Sequence, residues 1–236
     1  MKVIQKTDRL FELTMGYVKA FIVKGEGSPN EAELVLIDTG VAGKGKAILN
    51  AIDDAGLNSS NLKHIIITHL HEDHTGSLAE LKELTGACVY AHKEEAPAIE
   101  EGRLMRECSP PPRFLIKLLF PLIAGRSLGR TQSPCSVDVK LENEQRIEAG
   151  GGIRIIHTPG HTKGHICCLL EQEKILIAGD AASGGSKPGY PFLFEDEATG
   201  RDTLKKLGTM DFESAYFSHG RTIKKEAAVQ FSRVFG

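Results

Sequence analysis

The sequence has few cysteines, no excess of basic side chains and no long hydrophobic run. Its five cysteines (Cys88, Cys108, Cys135, Cys167 and Cys168) are odd in number and form no C-x-x-C pair, which excludes a disulfide-stapled scaffold and indicates a reducing compartment. With 29 basic and 31 acidic residues the formal net charge is −2, which gives no support to a nucleic-acid-binding surface. The 236 residues are 41% hydrophobic and 25% charged, which excludes a disordered or collagen-like chain.

No targeting segment or membrane span is evident. Residues 1–16 carry five charged side chains and lack the apolar core of a signal peptide. The most apolar stretch, 114–124, contains Lys117 and Pro121 and is shorter than the roughly 20 residues that cross a bilayer. We therefore expect a cytoplasmic protein without a membrane span.

Short strands and a few helices are predicted in both halves of the chain. The strands are expected at 10–15, 17–24, 33–38, 64–68, 88–91, 153–157, 166–170, 174–178 and 215–218. The helices are expected at 43–55, 76–84, 201–207 and from about 224. Strands clustered in both halves, with helices between them, predict two sheets packed face to face with helices outside.

The stretch 93–138 interrupts this rhythm, because it holds six prolines and the apolar run 114–124. We interpret it as an insertion that packs on a single domain spanning 1–236, or else as a connecting loop with one helix. The apolar run is a candidate for a homodimer contact or for binding an acyl chain.

One glycine-rich segment nearly matches a phosphate-binding loop. Gly40, Gly45 and Lys46 satisfy G-x-x-x-x-G-K, but Ala47 stands where the motif needs a hydroxyl for Mg²⁺. A nucleotide hydrolase is therefore disfavoured, and the segment is interpreted as a glycine-rich turn that enters a helix.

Six of the nine histidines fall into two short clusters. In the first, three imidazoles and two carboxylates lie within six residues at the end of a predicted buried strand. Burying so many titratable groups is costly without a partner, and a metal ion is the usual one. His69 and His71, two residues apart on an extended segment, can face one ion, whereas Asp73 and His74 on the following turn can face a second.

Residues Thr68 to His74 match T-H-x-H-x-D-H. Four further motifs lie elsewhere along the chain: Asp38 after an early strand, His161 within 157–165, Asp180 after an apolar strand, and His219 in Ser-His-Gly. In these five motifs the sequence resembles the metallo-β-lactamase-fold hydrolase superfamily. The resemblance implies an α/β fold, namely a four-layer αββα sandwich.

The resemblance also implies a centre of two divalent metal ions, with zinc expected and iron or manganese as alternatives. The first ion would be held by His69, His71 and His161. The second would be held by Asp73, His74 and His219, with Asp180 bridging the two.

Other polar residues are expected to support these ligands. Asp38 and Thr68 would orient ligands without touching metal. His157 and His165 are expected to be structural or supporting, His64 and His92 to lie at the surface or in packing, and Glu72 to face outward. Cys167 and Cys168 should face opposite surfaces of one strand, and neither is expected to be a nucleophile.

The function implied is a dinuclear metal-dependent hydrolase that cleaves an ester, thioester or lactone bond with a water or hydroxide activated by the metals. Asp73 would be catalytic, because it can orient the nucleophile or pass a proton to the leaving group. The ligand set is similar to that of glyoxalase II. The chain stops seventeen residues after His219, however, so no glutathione-gripping C-terminal domain is expected.

Two alternatives within the same fold stay open. One is a phosphodiesterase or nuclease, against which the near-neutral charge counts. The other is a non-haem iron oxidoreductase of the persulfide dioxygenase type. In each case but the nuclease we expect a small-molecule substrate and no nucleic acid. The possible substrate-binding residues are Arg221 and Tyr190, which lies in the loop 181–197 and could act as an oxyanion donor.

Overall fold

Two β-sheets form the centre of the molecule in a computed structural model that describes residues 1–104 and 131–236. The first sheet has seven strands in sequence order, and it is antiparallel from β1 to β4 and parallel from β4 to β7. These strands are β1 (Lys2–Gln5), β2 (Leu10–Met15), β3 (Val18–Lys24), β4 (Leu34–Ile37), β5 (Leu62–Ile67), β6 (Cys88–His92) and β7 (Val139–Leu141).

The second sheet has five strands, of which β8 to β11 are antiparallel and β12 pairs parallel with β11. They are β8 (Arg146–Ile147), β9 (Ile153–His157), β10 (Ile166–Leu170), β11 (Ile175–Ile177) and β12 (Ser214–Tyr216). The helices of the described residues are α1 (Gly45–Asp54), α2 (Glu72–Thr75), α3 (Leu78–Thr85), α4 (Ala96–Glu100), α5 (Glu197–Leu207) and α6 (Ala227–Phe235).

Three apolar clusters show how the layers stack. Along β4 successive side chains alternate, so that Leu36 packs with Ile48 of α1 while Ile37 packs with Ile155 of the second sheet. The opposite face of the second sheet packs against α5 and α6. The order is therefore helices, sheet, sheet, helices, and the predicted four-layer αββα sandwich is confirmed.

The two adjacent cysteines of β10 illustrate the same alternation. Cys167 belongs to the cluster beneath α5 and α6, whereas Cys168 lies in the cluster between the sheets. The predicted placement on opposite surfaces of the strand is confirmed. Burial also raises the pKa of both thiols, that of Cys167 to about 12, so neither is a ready nucleophile.

Several elements escaped the sequence-based prediction. Strands β2, β9 and β10 begin and end at the predicted residues, whereas β1, β7, β8, α2 and α4 were not predicted. Each missed element is five residues or shorter. Such short segments contain too few alternations to reveal a period, and contacts elsewhere in the chain hold them in place.

The segment 93–138 connects β6 to β7, two parallel strands that need a crossover because no tight turn can join them. Its described ends pack against the outer face of the first sheet, through Ile99 of α4 on one side and Val137 on the other. Residues 105–130, including the apolar run 114–124, lie outside the described residues, so the roles suggested for that run stay predictions. No helix of the described residues is long and apolar enough to cross a membrane.

The glycine-rich turn before α1 is closed by a carboxylate from α3. Glu80 accepts hydrogen bonds from the backbone N–H groups of Gly45 (2.9 Å) and Lys46 (3.3 Å). These are the donors that a phosphate would need, because the first N–H groups of a helix have no partner within it. The interpretation as a turn that enters a helix is confirmed.

Candidate metal centre

The seven predicted metal ligands meet at one end of the sandwich. Each follows a strand or lies in the loop or short helix after it, because the carboxyl ends of the central strands point to the same edge. The sheets contribute four segments: the loop and α2 after β5 (His69, His71, Asp73, His74), the β9–β10 loop (His161), the residues after β11 (Asp180) and those after β12 (His219). Their ligand atoms form a first group (His69, His71, His161) and a second group (Asp73, His74, His219), which a further set (His69, His74, Asp180) connects. Within each of the three sets the atoms lie within 4.8 Å of one another.

The first group consists of three buried imidazoles. Nε2 of His161 lies 3.2 Å from Nε2 of His69 and 3.1 Å from Nδ1 of His71. A tetrahedral zinc ion with Zn–N bonds of about 2.0–2.1 Å would hold its nitrogen ligands about 3.3 Å apart. Both distances from the His161 nitrogen therefore agree with the spacing around one such ion.

The charge state of this group also suits a cation. Burial lowers the pKa of His69 well below its ordinary value, that of His71 to about 3, and that of His161 as well. The imidazoles are therefore neutral at pH 7, with lone pairs available for a metal. Nδ1 of His161 lies 2.9 Å from the carbonyl oxygen of Leu193, to which it donates, and this leaves Nε2 facing its neighbours.

The second group consists of Asp73, His74 and His219. Nε2 of His219 lies 3.3 Å from Oδ2 of Asp73, and Nε2 of His74 lies 3.7 Å from Oδ1 of Asp73. Burial favours the neutral carboxyl, but His74 and a hydrogen bond from His219 outweigh it and lower the pKa of Asp73 to about 2. Asp73 is thus an ionised carboxylate between two imidazoles.

Asp180 lies between the two groups. Its Oδ2 is 3.7 Å from Nε2 of His161, 3.7 Å from Nε2 of His74 and 3.3 Å from Nε2 of His219. Although burial opposes ionisation, the two latter histidines hold the pKa of Asp180 well below its ordinary value. One carboxylate oxygen therefore faces both groups.

Three buried polar atoms of the cluster have no hydrogen-bond partner among the described residues: Nε2 of His71, Nε2 of His74 and Oδ1 of Asp180. A buried polar atom without a partner costs about 1–3 kcal/mol. A cation bound at the cluster would be a partner for the oxygen of Asp180 and for a deprotonated histidine nitrogen. The donor set, its spacing and these unsatisfied atoms all fit bound metal ions.

Asp38 supports the cluster from beneath. Its carboxylate accepts hydrogen bonds from the backbone N–H of Thr68 (2.8 Å) and from the Thr68 hydroxyl (2.8 Å), and Oδ2 lies 2.8 Å from Nδ1 of His74. Burial disfavours the imidazolium, but Asp38, Asp180 and Asp73 together raise the pKa of His74 well above its ordinary value. Asp38 adopts φ 63°, a left-handed conformation that Asp tolerates better than most residues.

Tyr17 was missed by the sequence analysis. Its carbonyl oxygen lies 3.0 Å from Nδ1 of His219, and its ring stacks on that imidazole with centroids 5.9 Å apart. The carboxylates of Asp180 and Asp73 raise the pKa of His219 to about 10, although burial opposes this. Tyr17 lies at the turn between β2 and β3, and an exposed aromatic in a turn carries no sequence signal of its own.

His165, predicted to be structural or supporting, contacts the cluster through the backbone. Its Nε2 accepts a hydrogen bond from the N–H of Asp180 (3.0 Å), and Nδ1 lies 2.7 Å from Oγ1 of Thr158. A second buried residue, Glu95, binds the backbone next to the first group and was also missed.

The three remaining histidines lie away from the candidate ligands. His64 contacts the Tyr90 hydroxyl (3.0 Å) and Glu33 (3.4 Å), and it is half-buried. His92 stacks on His157 with ring centroids 4.0 Å apart. These three histidines therefore take part in packing contacts.

Of the two possible substrate-binding residues, Tyr190 is held by contacts within the protein and Arg221 is exposed. The Tyr190 hydroxyl accepts a hydrogen bond from Arg201 (2.7 Å), and its ring packs against Phe194 and Phe235. Arg221 is exposed two residues after His219. Glu72, expected to face outward, is half-buried in the first turn of α2.

The chain is similar to known proteins both in sequence and in fold. Residues 13–219 match the family described as Metallo-beta-lactamase superfamily. The chain is 27% identical over 233 residues to the "Probable metallo-hydrolase YflN" of Bacillus subtilis, covering 88% of this chain and 82% of that protein.

Two further relatives are longer than this chain. It is 29% identical over 181 residues to the hydroxyacylglutathione hydrolase of Rhizobium meliloti, covering 75% of this chain and 55% of that protein. It is 26% identical over 190 residues to the atrochrysone carboxyl ACP thioesterase of Aspergillus fumigatus, covering 80% of this chain and 35% of that protein. The chain therefore spans about half the length of the first of these relatives and about one third of the second.

Among solved structures, BJP-1, a subclass B3 metallo-beta-lactamase of Bradyrhizobium japonicum, superimposes with a TM-score of 0.72. The match covers 100% of this chain and 90% of that one at 20% sequence identity. At this identity the likeness concerns the fold.

Proposed function

The chain belongs to the metallo-beta-lactamase superfamily, and from this we propose that it is a hydrolase that uses two divalent metal ions to cleave a thioester, ester or lactone bond. The observation that carries the proposal is the position of Asp180. Its Oδ2 faces His161 of the first group and both histidines of the second, which is the arrangement expected of a carboxylate shared by two ions.

In this proposal each group holds one ion. His69, His71 and His161 supply three neutral nitrogens, and Asp73, His74 and His219 supply a carboxylate and two nitrogens. Imidazole and carboxylate ligands suit zinc best, and iron or manganese would fit the same set. When bound, the two ions would supply an activated water molecule and polarise the oxygen of the scissile carbonyl group.

Asp73 would orient the attacking water in this reaction. Its carboxylate is ionised at pH 7, so it can accept a hydrogen bond from that water and direct it towards the scissile carbonyl group. The ring of His219 is fixed beside it by the Tyr17 carbonyl. A pre-oriented acceptor of this kind loses little free energy to reorganisation during the reaction.

The relatives favour an acyl substrate on a thiol. One is named as a hydrolase of hydroxyacylglutathione and another as an ACP thioesterase, and both names denote cleavage of an acyl group from sulfur. We therefore rank a small-molecule thioester first and esters and lactones next. The near-neutral charge of the chain agrees with a small substrate rather than a nucleic acid.

We further propose a reducing, cytoplasmic setting. Cys88, Cys135, Cys167 and Cys168, the cysteines among the described residues, are all free thiols. A homodimer and the single-domain organisation with an insertion at 93–138 stay predictions from the sequence.

The test combines elemental analysis of the purified protein with a hydrolysis screen over thioesters, lactones, phosphodiesters and a cephalosporin. We expect two metal ions per chain and hydrolysis of a thioester, ester or lactone. Asp180→Ala should lose metal and at least 100-fold in activity, whereas Asp211→Ala, an exposed aspartate paired with Lys174, should change neither.

Each contrary outcome has a distinct meaning. Full activity in metal-depleted Asp180→Ala would rule out the metal mechanism. Cleavage of phosphodiesters alone would overturn the substrate class. One iron per chain with consumption of oxygen would establish an oxidoreductase instead.

A further inference from the structure

Glu95 joins the two loops that carry the first histidine group. We propose that it is a positioning residue that sets the spacing of His69, His71 and His161 and thereby the metal affinity of that group. The proposal rests on the proposed function, since it presupposes that these histidines bind metal.

The position of Glu95 is rigid. It follows β6, precedes α4, and its side chain is fully buried. Its own N–H donates to the carbonyl oxygen of His92 (2.8 Å), and its carbonyl oxygen accepts from the N–H of Ile99 (3.1 Å). The backbone that carries the carboxylate is therefore held at both sides.

The carboxylate binds one backbone N–H from each ligand loop. Oε2 accepts from Leu70 (3.2 Å), the residue between His69 and His71, and Oε1 accepts from Gly164 (2.6 Å), three residues after His161. The first loop leaves the seven-stranded sheet and the second belongs to the five-stranded sheet. One side chain thus connects the ligand loops of the two sheets.

A carboxylate suits this position better than any other group. An ionised oxygen makes shorter and stronger hydrogen bonds to N–H donors than a neutral one does, and two such bonds offset the cost of burial. A glutamine would turn its amide N–H groups toward one of the two backbone donors. The connection between the loops would then hold at one end only.

Gly164 shows how closely the two segments approach. A Cβ at this position would lie 2.7 Å from Oε1 and 2.9 Å from the backbone nitrogen of Glu95. The φ of Gly164 lies outside the left-handed region, so alanine is compatible with its backbone conformation. The contact with Glu95, rather than the backbone angle, is what excludes a side chain there.

The experiment compares variants of the full chain with the wild type in two measurements. The first is zinc affinity, measured by competition with a chromophoric chelator, and the second is the visible absorption bands of the cobalt-substituted protein. Glu95→Gln should weaken zinc binding about 10-fold, in the range found when residues that hold metal ligands are replaced. Its cobalt bands should shift, because they report the geometry around the ion. Gly164→Ala should act in the same direction, because it displaces the carboxylate without removing it.

Glu94→Gln is the matched control. Glu94 precedes Glu95 and pairs with Lys163, the residue before Gly164, but at the exposed side of the loop (2.6 Å). We expect its zinc affinity to stay within 2-fold of the wild type and its cobalt spectrum to be unchanged.

If Glu95 had a structural role alone, the metal-free Glu95→Gln and Gly164→Ala variants would melt at a lower temperature. Their zinc affinity and cobalt bands would keep the wild-type values. That result would overturn the proposal. If Glu95→Gln does not fold, Gly164→Ala decides in the same way. Failure of the wild type to bind zinc or cobalt would overturn both this proposal and the proposed function, whereas metal-binding wild type with unaffected variants would overturn this proposal alone.

Discussion

His165 illustrates, at the scale of a single residue, how a histidine outside the candidate ligand set can hold a candidate ligand in place. Because its Nε2 accepts the N–H of Asp180, the ring proton lies on Nδ1 and is donated to Thr158. Burial lowers the pKa of His165 well below its ordinary value, which keeps the ring neutral and this arrangement intact. The backbone of Asp180 is thereby held where its carboxylate faces both groups.

Replacing His165 by leucine should therefore destabilise the protein and disturb the centre. His165→Leu leaves the N–H of Asp180 without its acceptor, and a buried group left unpaired costs about 1–3 kcal/mol. Urea unfolding of the metal-free protein measures this loss. Metal content after reconstitution should fall as well, because the backbone that carries the Asp180 carboxylate is no longer held.

His64→Leu provides the comparison, since it removes a half-buried histidine within β5, away from the candidate ligands that follow this strand. The free energy of unfolding should change by about 0.5 kcal/mol or less, and metal content should not change. Equal effects of the two substitutions would contradict the role assigned to His165.

At the scale of elements, α3 stabilises the start of α1 through Glu80. Glu80→Ala should lower the free energy of unfolding by about 1 kcal/mol, because Gly45 and Lys46 lose the acceptor for their N–H groups. Thermal or urea unfolding detects a change of this size. Glu83→Ala, an exposed position on the same helix, should be neutral, and a similar loss there would show that helix propensity rather than capping is responsible.

The stacked pair His92 and His157 joins the end of β6 to the end of β9, and thus one sheet to the other. Burial, together with the neighbouring His157, lowers the pKa of His92 to about 4. In the unfolded chain the pKa is about 6.5, so the unfolded state binds more protons between these values. The contribution of His92 to stability is therefore complete above about pH 6.5 and is lost as the pH falls towards 4.

His92→Phe should keep the ring stack while removing this titration. Between pH 7 and pH 4 the wild type should lose about 1–2 kcal/mol more unfolding free energy than the variant, a figure reduced from the full pKa shift because the ring is partly screened by solvent. Urea unfolding of the metal-free proteins across this range measures the difference. Parallel pH profiles for the two proteins would contradict the prediction.

At the scale of the whole molecule, the candidate ligands come from both sheets, so bound metal should stabilise the sandwich as a unit. A ligand present at 100 times its Kd adds about 2.7 kcal/mol to the free energy of unfolding. For a chain of this size that corresponds to roughly 5–10 °C in Tm. Calorimetry with and without EDTA should show this difference in the wild type.

The same chelation should have a much smaller effect on Asp180→Ala, because the carboxylate shared by the two groups is missing. An EDTA-dependent shift of equal size in both proteins would show that the stabilising metal binds elsewhere. A wild-type Tm that does not respond to EDTA or to added zinc would contradict the proposed centre altogether.

The sequence by itself determined the four-layer fold and the set of candidate ligands. The strands with a full alternation, such as Leu10–Met15, were found at their true bounds, because periodicity is a local property of the chain. The histidines and carboxylates were found because their five motifs resemble, in the same order, those of the metallo-β-lactamase superfamily. That they are ligands stays a prediction, but the structure brings all seven to one end of the sandwich.

Only the tertiary structure decided which residues hold this cluster in place. Tyr17 meets His219 across 202 positions of the chain, and Glu95 meets Gly164 across 69. Such contacts are made by backbone carbonyl and N–H groups, which every residue type carries, so the sequence has no pattern that marks them. They arise because the packing of two sheets brings loops from distant parts of the chain to the same edge, where buried polar groups must find partners.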